Sequence, residues 1–188
     1  MEHEHEIETH PPINKRIGIL IGVMATILAF TEMAAHNADT DVLRESVEAS
    51  DTWAFFQAKS IRAAMLRADV RALEAETSGQ SQADATKVAA TISEWNEAAA
   101  HEDSEPSTGE GRKELAAKAQ AIEKHRDERN AAKETYEYSS GALELGILLA
   151  SSAIVTGLIP LAYLGGVLGV LGSVLGVLGS LAPHLVGG

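Results

Sequence analysis

With 188 residues and a formal net charge of -12, the chain carries the wrong sign for nucleic-acid binding, which demands clustered Lys and Arg. The absence of cysteine removes disulfides, a thiolate nucleophile and Cys-based metal sites. Its apolar residues gather at the two ends, and much of that count is alanine. The middle third therefore has few large side chains for a core of its own, and its helices are expected to rely on one another or on other subunits.

Residues 1–16 begin Met-Glu-His-Glu-His-Glu-Ile-Glu-Thr-His and reach Pro11 and Pro12. His3, His5 and His10 among these glutamates have the chemistry of divalent-metal ligands. Nothing holds them in a ligand geometry, so the segment reads as a solvated, disordered acidic tail and no metal is expected. Lys15 and Arg16 then precede a first candidate span, residues 17–36, whose one carboxylate is Glu32. From Ile17 to Ala35 a helix covers roughly 29 Å, close to the hydrocarbon thickness of a bilayer. The helical pattern continues past Ala35, which favours an uncleaved anchor over a secretory signal. Gly18, Gly22, Ala25 and Ala29 set small residues at four- and three-residue spacing along it.

Residues 37–138 read as an extramembrane helical, coiled-coil region. From Asp39 to Thr77 the good helix formers Ala, Glu, Arg and Leu dominate, so the first span is expected to continue into this helix. Ala54, Ala58, Ile61, Met65, Ala68, Ala72 and Ala75 keep a four-three rhythm that predicts a narrow coiled-coil seam. Trp53 and Phe56, on one face, read as a packing anchor for a second helix. Thr77-Ser-Gly-Gln-Ser81 predicts a turn. A second helix follows from Gln82 to Ala100 with Val88, Ile92, Trp95 and Ala99 on one face. His101 to Gly111 reads as a mobile acidic loop. The next helix, from Arg112, changes along its face from Leu115, Ala119 and Ile122 to Arg126, Arg129 and Lys133, a switch that points its later half at acids of the first helix or at water.

Residues 139–182 are too long for one crossing and are divided into spans at about 142–160 and 166–182, with Pro160 and Gly165-Gly166 as the breaks and Tyr163 as an interfacial marker. A re-entrant final helix is the alternative. The earlier span repeats the small-residue spacing at Gly146, Ala150, Ala153 and Gly157. In the later one Val-Leu-Gly-Val-Leu-Gly-Ser occurs twice in tandem. As a helix it aligns Gly165, Gly169, Gly172, Gly176 and Gly179 in one bare seam, which in lipid lets another backbone approach closely. Residues 183–188 form a short tail.

The block Ser50-Asp-Thr-Trp-Ala-Phe-Phe-Gln-Ala-Lys-Ser-Ile-Arg62, after a first span and a short polar stretch, resembles the bacterial membrane family called domain of unknown function 4337. The resemblance implies one N-terminal span, a helical middle region and two C-terminal spans, and implies no chemistry. The glycine heptads and the lack of a basic turn between the last two spans depart from it.

These features predict an all-α protein with three transmembrane helices and a long extramembrane helical hairpin. The expected function is a non-enzymatic, homo-oligomeric membrane scaffold closed by small-residue seams. The alternatives are a cation or proton channel using Glu32 or Glu144, carboxylates costly inside a span, and an accessory subunit of a larger membrane complex. No serine has a triad-like neighbourhood and no phosphate-binding loop follows a strand, so no enzyme activity, cofactor or nucleic acid is expected. Lys15 and Arg16 favour a cytoplasmic N-terminus in an inner membrane, with the middle region periplasmic, whereas Arg126, Arg129 and Lys133 argue the other way.

Overall fold

The computed structural model describes residues 12–76, 82–182 and 185, and within them the chain is all-helical. Four helices follow in order: α1 (Pro12–Glu76), α2 (Gln82–Asp103), α3 (Arg112–Thr156) and α4 (Ile159–Leu181). Of these, α1, α3 and α4 are long and apolar enough to cross a membrane. The chain forms two compact units, Met1–Val42 with Asp127–Gly188, and Leu43–Arg126. As the continuous run of helix formers predicts, α1 passes unbroken from one into the other. It also begins earlier than expected, at Pro12, because proline suits a first turn whose N–H groups have no partner anyway. His3, His5, His10 and the predicted turn at Thr77–Ser81 lie outside the described residues.

In the first unit, α3 runs antiparallel to α1 and α4. The buried positions of α1 there are Ile17, Met24, Thr31 and Ala38, one every seven residues, the interval that keeps a seam facing its neighbours. Gly18, Gly22, Ala25 and Ala29 are exposed, and a methyl group on Gly18 or Gly22 would meet nothing within 4 Å. That small-residue stripe is not a packing face within this chain.

The break between α3 and α4 is also displaced. Gly157, with φ 71°, ends α3 in the left-handed conformation that glycine adopts freely. Its amide donates to the Ala153 carbonyl at 2.9 Å. Pro160 falls in the first turn of α4, where it costs no hydrogen bond. Gly157 is therefore a helix stop rather than a seam residue, and Gly165-Gly166 lies inside α4 instead of interrupting it.

In the second unit the buried face of α1 is Glu45, Ala49, Thr52, Lys59, Ala63 and Val70. Val88, Ile92, Trp95 and Ala99 make up the more covered side of α2. The predicted alanine seam is on the other side of α1: every member from Ala54 to Ala75 is exposed.

The segment after α2 is a tied turn, and His101 to Asp103 belong to the helix. Glu114, in the first turn of α3, accepts hydrogen bonds from Ser104 Oγ at 2.7 Å and the Glu105 amide at 3.2 Å. The Ser104 bond, then its own backbone amide and that of Glu105, hold the Glu114 carboxyl below the usual carboxylate range. A folded-state pKa lowered in this way stabilises the turn above the unfolded value and ceases to do so as pH falls through the folded one. In an NMR titration Glu114 is expected to protonate at lower pH than an unpaired glutamate, and Ser104→Ala to move its midpoint upward. An unchanged midpoint contradicts this assignment.

Candidate functional site

The first unit is built on the α3–α4 contact. Each step of three or four residues down α3, from Gly146 through Leu143 and Ser139 to Tyr136, is matched by an equal step along α4, from Gly169 through Gly172 and Gly176 to Gly179. A methyl group on Gly165 would stand 2.6 Å from the Gly146 carbonyl oxygen, and one on Gly146 would stand 2.8 Å from the Gly165 carbonyl oxygen. On Gly172 it would be 2.8 Å from Leu143 Cγ, and on Gly179 2.8 Å from the Tyr136 ring. On the α1 side, Gly169 abuts Met24, where a methyl would lie 2.5 Å from Sδ. Gly176 faces Ser139 and Thr31, the nearest atom being Ser139 Oγ at 3.1 Å. Ser139 Oγ donates to the Gly172 carbonyl at 2.6 Å, placing a hydrogen bond across a seam made by backbone contact. Gly165, Gly169, Gly172 and Gly179 are buried by these contacts. The seam expected between copies is thus filled by the chain's own α3 and α1.

Beside it, α1 and α4 leave an open groove. Two adjoining cavities of about 680 and 440 Å³ share Leu20, Gly166 and Val170. Their linings are apolar along nearly the whole length; Ser173 is satisfied within α4 by the Gly169 carbonyl at 2.7 Å, and Arg16 and Tyr163 line one cavity. Glu32 and Glu144 are both on exposed helix faces. They are not level with each other. Because Thr31 and Ser139 meet at Gly176, Glu144 lies roughly 9 Å along the bundle from Glu32 at about 1.5 Å per residue.

Ahead of α3's candidate span the basic residues find acids on α1. Lys133 Nζ lies 2.6 Å from Asp39 and Arg129 Nε 3.9 Å from Asp41. The Asp39 hydrogen bond holds the Lys133 ammonium above its usual range. Within the second unit the pairing continues, with His125 Nδ1 2.6 Å from Glu45 and Lys118 3.8 Å from Glu48.

The second unit has its own polar centre. Trp53 Nε1 donates to Glu123 at 2.9 Å, and its ring meets Phe56 edge-on at 5.3 Å. The Arg112 guanidinium lies 5.5 Å from the Phe56 ring, and Asp103 pairs with both Arg112, at 2.7 Å, and Arg67. Lys59, its side chain only 8% exposed, reaches Glu102 at 3.0 Å and Glu105 at 3.9 Å. These are the groups that tie α1 to α2 and α3.

A family model described as Domain of unknown function (DUF4337) matches residues 13–182. The chain belongs to the DUF4337 family. No curated protein and no solved structure matches it. In this DUF4337 chain the match takes in α2, α3, α4 and all of α1 but Pro12, so the glycine seam, the groove and the Lys59 centre all lie within it. Sequence reading missed Lys59, Glu45 and Thr52 because they are polar. The signal available was the interval of seven residues, which runs from Ile17 through Thr31, Glu45 and Thr52 to Lys59 regardless of polarity.

Proposed function

We propose that this DUF4337 protein is a non-enzymatic membrane scaffold. Its first unit crosses the bilayer three times, and copies associate through the stripe from Ala54 to Ala75 on α1. The observation that supports this reading is the division of labour between the two stripes. The glycine seam is occupied within the chain, whereas the alanine stripe keeps coiled-coil spacing and is exposed among the described residues; Ile61 is 58% and Met65 63% exposed. An exposed apolar stripe of this regularity is a surface for another helix. It is about 33 Å long at 1.5 Å per residue. Copies inserted in one membrane with one topology present α1 in parallel, a geometry that in register brings Arg71 of one copy near Glu76 of the other. Lys15 and Arg16 support a topology with the N-terminus on the cytoplasmic side of an inner membrane and the second unit on the opposite side.

The test is native mass measurement of the full chain in mild detergent. Ile61→Glu with Met65→Glu, both at exposed positions, is expected to reduce a multi-copy particle to a single chain while leaving the helical signal unchanged. A wild-type particle that is already a single chain, or a variant that keeps its mass, contradicts the reading.

A further inference from the structure

We propose that the groove between α1 and α4 is a binding site for an anionic phospholipid, with one acyl chain along the groove and the headgroup phosphate against Arg16. This rests on the membrane reading above. The groove is lined by Leu20, Val23, Ile27, Val170, Val174 and Val177, side chains that offer a ligand contact and no hydrogen bond, as a hydrocarbon chain requires. From Arg16 to Ile27 it runs down α1 for roughly 17 Å, about one leaflet of a hydrocarbon core of roughly 30 Å.

Gly166 supports the presence of an occupant. Its seam neighbours cannot carry a side chain, yet a methyl group on Gly166 would find only Leu20 Cδ2, at an ordinary 3.7 Å. Packing inside the chain does not require glycine there. Its effect is to deepen the floor shared by both cavities, the use of glycine where something must come close to the backbone.

Charge selects the occupant. Among the described residues Arg16 has no ion pair, and it stands where the apolar stretch of α1 begins, at the depth of the headgroups. A second copy docked symmetrically on this face would bring its own Arg16 to the same depth, setting like charges together. An anionic phospholipid brings the opposite charge to that place, and guanidinium takes phosphate in a two-pronged hydrogen bond.

The experiment reconstitutes the full chain in vesicles of equal parts phosphatidylglycerol and phosphatidylcholine, floats them, and counts retained phospholipid by native mass spectrometry after transfer to mild detergent. The expected result is severalfold enrichment of phosphatidylglycerol. Arg16→Gln is expected to abolish the enrichment without emptying the groove, Gly166→Leu to reduce retained lipid of both kinds, and Lys15→Gln to leave the enrichment in place. Equal retention of the two lipids by the wild type overturns the proposal, as does enrichment that survives Arg16→Gln or disappears equally with Lys15→Gln. Lipid-free particles whose mass requires Arg16-face pairing of two copies, lost on Gly166→Leu, overturn it in favour of a second copy. Failure to float with the vesicles overturns the membrane reading itself; flotation without lipid preference overturns only the lipid site.

Discussion

Gly165→Ala is expected to lower the unfolding free energy of the three-helix unit by about 2 kcal/mol, the typical cost of forcing extra volume into a packed interface, whereas Gly166→Ala, one residue along, changes it by less than about 0.5 kcal/mol. The two substitutions give α4 the same gain in helix propensity, so the difference isolates packing. At Gly165 the new methyl meets the Gly146 carbonyl oxygen at 2.6 Å and the Ala150 amide nitrogen at 3.0 Å. Both are backbone atoms, which cannot swing aside as a side chain can. The helices must separate, and every contact from Gly146 to Tyr136 loosens with them. Thermal unfolding of the full chain in one detergent, followed by loss of its monodisperse elution peak, measures the contrast. Equal effects at the two positions contradict the seam.

A second large effect is expected at the ion-paired centre of the other unit. Glu102→Gln with Glu105→Gln leaves the Lys59 ammonium beneath α2 without its carboxylates and is expected to cost about 3 kcal/mol, as removal of one side of a buried pair does. Lys59→Met with Glu102→Leu and Glu105→Gln removes charge from both sides and is expected to be nearly neutral, because no ion is then left buried without its partner; the Lys59 ammonium already lies 5.7 Å from the apolar Phe55 ring. Denaturant unfolding followed by helical circular dichroism separates the cases. A double glutamine variant as stable as the wild type would place Lys59 in water.

The helices, their order and the continuity of α1 are legible in the sequence, because composition and length suffice for them. So is the alignment of Gly165, Gly169, Gly172, Gly176 and Gly179 on one face, since their spacing alone determines it. What occupies that face is not encoded in spacing: a bare seam suits the chain's own α3 as well as another copy. The alanine stripe is left uncovered within the chain for a different reason. Burial on α1 follows the seven-residue interval through Thr52 and Lys59, whose polar groups find partners, while the more apolar Ala54, Ile61 and Met65 stay uncovered. Hydrophobicity was therefore the weaker guide where opposite charges from α2 and α3 were available. Gly165-Gly166 misleads as a break because a helix in a tight bundle tolerates glycines whose backbone groups stay hydrogen-bonded, and Gly157 supplies the stop. Of the groove, the sequence exposes only its margins, Arg16 and Tyr163; its depth depends on how α1 and α4 meet.

Closure of the glycine seam within one chain can be trapped by a disulfide across it. An ideal Cβ on Gly176 lies 4.0 Å from Ser139 Cβ, inside the range of about 3.5–4.5 Å that a disulfide spans, and the chain has no cysteine of its own to interfere. Oxidation of the full chain carrying Ser139→Cys and Gly176→Cys is predicted to give a single-chain band on non-reducing electrophoresis, with both thiols consumed and no product when the two single variants are mixed. Covalent dimers from the mixed single variants would contradict it, placing α4 of one molecule against α3 of another.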